Sequence, residues 1–124
     1  MEKISTPNAP AAIGPYSQGI KCNGMFYASG QIPLDPNTGT LVEGGIEAQA
    51  HQAFLNVKAL VEAAGTSMAN VVKVTVFMAD MNDFATVNTI YAQYFSEPYP
   101  ARSAVAVKSL PKGAMLEVEV VAAL

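Results

Sequence analysis

Gly65 separates two different periodicities, and that switch limits what this chain can fold into. Before it, starting from Ile46, apolar residues fall at Ala50, Phe54, Val57, Leu60, Val61 and Ala64. Spacings of three and four put them on one face of a helix. Gly65 supplies the stop, because glycine readily takes the positive φ at which helices end. After it, Val72, Val74 and Val76 alternate with Lys73, Thr75 and Phe77. That is the twofold period of a strand over Val71–Ala79, with Ser67 placed to cap a short turn ahead of it. A one-sided helix running straight into a strand is best buried by laying the helix on a sheet.

The remaining elements fit around that pair. Asn23-Gly24 lies between the runs Ser17–Cys22 and Met25–Gly30. Asn-Gly is the strongest short hairpin signal, because both turn residues must take positive φ. Pro7, Pro10, Gly14 and Pro15 make residues 5–16 an ordered loop, and residues 31–45 form a turn-rich connection. A second helix carries the stripe Phe84, Val87, Tyr91, Tyr94 and Phe95. Asp80 or Asn82 caps it, and Pro98 and Pro100 end it. Strands over Arg102–Val107 and Ala114–Ala122 close the chain, joined through Pro111-Lys112-Gly113. The order is hairpin, helix, strand, helix, strand, strand. This is an α+β chain with two helices on one face of a mixed sheet, and the other face is expected to be apolar and uncovered. There is no repeat, charge run or low-complexity linker, so residues 1–124 read as one domain.

The balance of residue types points to self-association. Hydrophobic residues make up 51% of 124 positions and charged ones only 14%, with a mean hydropathy of +0.25. A chain this short cannot hide that much apolar surface alone, so a homo-oligomer is expected. The net charge of −3 and pI near 4.9 argue against a general nucleic-acid binder. No apolar run reaches membrane-spanning or signal-peptide length. The single cysteine, Cys22, leaves no internal disulfide. These features predict a cytoplasmic protein.

Against so few charges, Arg102 entering one apolar strand and Glu117 inside the next stand out. Arginine presents a planar fork that matches a carboxylate, and glutamate can hold or deprotonate a water. The two suit a site for a small carboxylate-bearing metabolite; they also suit a structural ion pair. Other chemistries lack parts. His51, the only histidine, lies inside the first helix and reads as a helix-surface or packing residue, and Cys22 reads as a small strand hydrophobe. No metal-ligand spacing and no phosphate-binding glycine loop is visible, so no cofactor is expected. Asn88 follows Phe84 by four and precedes Tyr91 by three, at the border of the buried stripe. Tyr16 is either a core plug or an aromatic wall over a ligand. Ser29-Gly30 ends a strand where glycine allows close approach to the backbone.

Several blocks in order resemble the RidA/YjgF proteins, the reactive intermediate deaminases. They are Ala11–Gly19, Ala28–Pro33, Asn82–Asn88, Pro100–Ser103, Leu110–Lys112 and Leu116–Glu119. The resemblance implies a chorismate-mutase-like fold that assembles as a homotrimer around a central β-barrel, with clefts between subunits. It implies that Arg102 holds a substrate carboxylate, that Glu117 handles the water, and that Tyr16, Ser29, Gly30 and Asn88 line the cleft. Backbone near Gly30 and Ala104 would position the nitrogen end. The implied reaction is cofactor-free hydrolysis of enamines and imines, such as 2-aminoacrylate, to 2-keto acids and ammonia. The chain departs from the family at Ala104, where a cysteine is usual, and at Ala106 and Ser109. Two alternatives accompany this expectation. One is a non-enzymatic regulator that binds 2-keto acids. The other is an endoribonuclease or translation inhibitor, against which the acidic pI and the lone His51 count.

Overall fold

The computed structural model describes residues 1–124. Six strands form one sheet: β1 (Glu2–Ile4), β2 (Gly19–Cys22), β3 (Met25–Ala28), β4 (Val71–Met78), β5 (Ala101–Ala106) and β6 (Leu116–Ala123), in the order β1-β2-β3-β6-β4-β5. Only β4 and β5 run parallel; the other neighbours are antiparallel. Two helices, α1 (Gly45–Ala63) and α2 (Phe84–Tyr94), complete the α+β architecture. The hairpin turn is as expected, with Asn23 at φ 52° and Gly24 at φ 76°.

The core lies between the helices and one sheet face. Phe54, Val57, Leu60 and Val61 of α1 are fully buried with Val74 and Met78 of β4, Leu116 and Val118 of β6, and Phe26 of β3. Each such side chain contributes about 1.5–3 kcal/mol by leaving water. An aromatic cluster ties the helices together: Phe54 stacks on Tyr94 with centroids 5.3 Å apart, and Tyr91 packs on Phe95 at 4.4 Å. His51 joins it through a 2.8 Å hydrogen bond between Nδ1 and the Tyr94 hydroxyl, the packing role its position suggested.

Three local expectations needed revision. The strand β1 was not expected; three residues are too few to show a period, and it forms by pairing along β2. Val72 is 44% exposed rather than buried with Val74 and Val76. A register shift between Val71 and Lys73 turns it outward. Ser67 makes no side-chain cap; the neighbouring Thr66 hydroxyl instead donates to the Ala123 carbonyl at 2.7 Å. The Asp80 carboxylate does cap, accepting from the Asn82 N–H at 2.9 Å in the turn that leads into α2.

The face away from the helices is uncovered but mixed rather than uniformly apolar. Alternation and register give it Ile20, Tyr27, Phe77, Val105 and Val121, interrupted by Lys73, Thr75, Ser103, Glu117 and Glu119. No helix of the chain is long and apolar enough to cross a membrane.

Candidate active site

The residues singled out from sequence fall into two groups, on opposite sides of the sheet. The first surrounds Glu117. Tyr16, Ser29, Gly30 and Glu117 line one cleft of about 660 Å³ together with Ile13, Ile32, Leu34 and Lys112. Several buried amides build its walls. Gln18, only 4% exposed, accepts from the Thr6 N–H at 2.7 Å and donates toward the carbonyls of Thr6, Ala9 and Pro10. That pins the loop leading to Tyr16. Asn56 of α1 donates to the carbonyls of Ile32 and Leu34, fixing the opposite wall. Gln49 of α1 accepts from the Met115 N–H at 2.9 Å, two residues before Glu117.

Within this cleft Tyr16 is 53% exposed; it forms a wall and plugs no core. The Ser29 hydroxyl donates to the Ser17 carbonyl at 2.6 Å. Gly30 leaves both its N–H and its carbonyl without a hydrogen-bond partner. Its lack of a side chain lets the Glu117 carboxylate lie directly against it: a Cβ there would collide with Glu117 Oε2. Partial burial, and after it the Glu119 carboxylate on the same sheet face, push the Glu117 carboxyl above the usual carboxylate range. A carboxyl raised in this way is, once deprotonated, a stronger base than an exposed glutamate.

The second group surrounds Arg102 on the edge strand β5. Its Nη1 donates to Asn88 Oδ1 at 2.6 Å. The guanidinium carbon lies 4.7 Å from the centre of the Tyr91 ring and 5.3 Å from that of Phe84. Phe84, Asn88 and Tyr91 are spaced i, i+4, i+7, so one face of α2 carries all three. No carboxylate of the chain forms an ion pair with Arg102; the two ion pairs present are Lys21–Glu2 and Lys58–Glu62. The structural pairing of Arg102 with Glu117 is therefore not made within the chain. Ala104 follows on the same side of β5. The Val107 N–H bonds to the Met78 carbonyl, so alternation along the strand turns the Ala104 N–H toward the free sheet edge.

Register explains the separation. Arg102 pairs with Val74, on the helix-covered face, and Glu117 pairs with Phe77, on the open face. The family resemblance puts these residues in a cleft between subunits; within one chain they form two separate groups. Sequence reasoning missed Lys112, Gln18 and the ring platform. Lys112 has a recognisable signal, since it sits at φ 59° between Pro111 and Gly113 in a turn read as a connection and as one block of the family pattern. Gln18 has none, because a buried amide looks like any loop glutamine.

Known proteins resemble this chain in both sequence and fold. The profile of the family described as endoribonuclease L-PSP matches residues 6–124. The 2-iminobutanoate/2-iminopropanoate deaminase of Salmonella typhimurium is 53% identical over 122 residues, spanning 96% of this chain and 94% of its own. The human protein of the same name is 53% identical over 119 residues, spanning 96% and 87%. The crystal structure of RidA from an Antarctic Psychrobacter matches with a TM-score of 0.96 and 48% identity over the whole of both chains. With sequence and fold alike shared from end to end, the chain belongs to the endoribonuclease L-PSP family, the RidA/YjgF proteins.

Proposed function

We propose that this protein is a cofactor-free hydrolase that deaminates small 2-imino acids, including the imine tautomers of enamines such as 2-aminoacrylate, in the cytoplasm. We propose further that its sites are completed between copies of a homotrimer built around a central barrel. The observation that carries this reading is that Arg102 and Glu117, each free of a counter-charge, face away from each other across one sheet. A second copy is then required to bring the half-sites together. The names of the relatives add the substrate class.

In this reading Arg102 of one copy takes the substrate carboxylate through its remaining N–H donors, beside the Ala104 N–H. Glu117 and the Gly30 backbone of the neighbouring copy face the imine carbon and nitrogen. Glu117 accepts a proton from water as the water oxygen bonds to the imine carbon and the C=N π pair moves to nitrogen. The nitrogen takes up a proton from solvent, giving a carbinolamine. Return of the Glu117 proton to that nitrogen, with loss of the hydroxyl proton to solvent as the oxygen becomes a carbonyl and the C–N bond breaks, releases ammonia and the 2-keto acid. Binding and orientation supply much of the effect.

Mixing two inactive variants tests the proposal. Arg102→Ala and Glu117→Gln should each lose imine hydrolysis, the first with a loss of 2-keto acid affinity and the second mainly in kcat. Unfolding and reassembling an equal mixture should restore about a quarter of the sites, those that draw Arg102 and Glu117 from different chains. An inactive mixture of intact trimers would overturn the shared site. Tight 2-ketobutyrate binding by a parent protein that never turns over imines would make the protein a regulator instead.

A further inference from the structure

We infer that Phe84 and Tyr91 are positioning residues that hold the Arg102 guanidinium in the plane in which it receives a carboxylate. The inference rests on the reading of Arg102 as the substrate anchor. It begins from a difficulty: Arg102 is solvent-exposed, on an edge strand, and has no ion-pair partner. A long side chain in that setting samples many rotamers, and a bidentate fork works only when its plane is fixed.

Three contacts fix it. The Tyr91 and Phe84 rings lie 4.7 and 5.3 Å from the guanidinium carbon, both within cation–π range. Asn88 accepts from Nη1 at 2.6 Å, which sets the rotation of the group and leaves its other donors free. All three side chains come from one face of α2, and Tyr91 is itself anchored in the core against Phe54 and Phe95. The platform is therefore rigid where the arginine alone is not. Tyr91 carries a second sign. It is 5% exposed, and its hydroxyl is buried with no hydrogen-bond partner. Nothing in the chain's own hydrogen bonding uses that oxygen, and a leucine would pack this position without an orphaned polar atom. What a leucine would lack is the ring under the cation.

The test compares Phe84→Leu, Tyr91→Leu and Tyr91→Phe with Arg102→Ala, reading KM, kcat and the 2-ketobutyrate Kd of intact oligomers. Each leucine variant should raise KM and Kd about five- to tenfold, with kcat within about twofold. Tyr91→Phe, which restores the ring, should recover most of the affinity. Leucine variants that bind as the parent does, while Arg102→Ala loses binding, would overturn the inference and leave the anchor standing. A failure of phenylalanine to rescue would also overturn it, assigning the effect to the hydroxyl. If Arg102→Ala binds normally, the anchor and the platform fall together. Should the leucine variants not fold, guanidinium nitrogen relaxation in the unaltered protein decides. Arg102 should be ordered before ligand is added, and mobility on the scale of the surface lysines would sink the platform.

Discussion

Gly30 lies flat beneath the Glu117 carboxylate, so close that one added methyl group would occupy the space of Oε2 and crowd the carboxyl carbon at 2.8 Å. The collision is with the end of a side chain rather than with backbone, and the carboxylate would swing aside. Gly30→Ala should therefore cost function more than stability. We expect kcat for imine hydrolysis to fall about tenfold or more, as misplacement of a reacting group by about 1 Å does. The thermal midpoint should move by only a few degrees. A variant that hydrolyses imines at the parent rate would show that the position of Glu117 against Gly30 does not matter.

The raised Glu117 carboxyl gives the pH profile a definite sign. As a base, Glu117 works when deprotonated, so the rate should rise with pH through a limb above the usual carboxylate range. Burial is the larger cause and Glu119 the smaller. Glu119→Gln removes only the second, so its limb should shift toward lower pH while remaining above that of a free glutamate. A limb that moves upward, or stays where it was, would contradict the assignment of Glu117 as the titrating group. Removing the charge from this partly buried site by Glu117→Gln should also raise the thermal midpoint above neutral pH. There the folded state carries the penalty of a carboxylate that prefers its proton.

Gln18 holds the loop over residues 6–10 by four hydrogen bonds. Gln18→Leu keeps the approximate size and strands one N–H and three carbonyls. At about 1 kcal/mol for each bond lost, the expected destabilisation is about 2–4 kcal/mol. Hydrogen exchange should increase for the Thr6 and Asn8 amides while those of β6 stay protected.

The open sheet face predicts assembly. Sedimentation should give three times 13.0 kDa. Val105→Asp, at an exposed apolar position next to Phe77 in the register, should shift the protein to monomers and abolish hydrolysis together. A monomeric variant with full activity would remove the need for a site shared between copies.

Much of this fold is legible in the chain because period survives translation into structure. The stripe from Ala50 to Leu60, the Asn23-Gly24 turn and the alternation from Val74 to Met78 each depend on neighbours within a few residues. The opposite placement of Arg102 and Glu117 does not. Alternation within a strand says which residues share a side, and only pairing with the next strand says which side that is. Arg102 obtains its face from Val74, 28 residues earlier in a parallel partner, and no local pattern carries that information. The turning-out of Val72 has the same origin, since one slipped pairing with β6 decides it.

That dependence makes the short connection from Phe95 to Pro100 a measuring device. β4 and β5 run parallel, so the chain must cross over between them, and α2 is the crossover. The same helix presents Asn88 and Tyr91 to the arginine at the start of the strand it delivers. One residue more or fewer between Phe95 and Pro100 would slide β5 by one step and send Arg102 through to the other side of the sheet. Segments of this kind on a protein's surface usually tolerate changes in length. Here length itself carries the function.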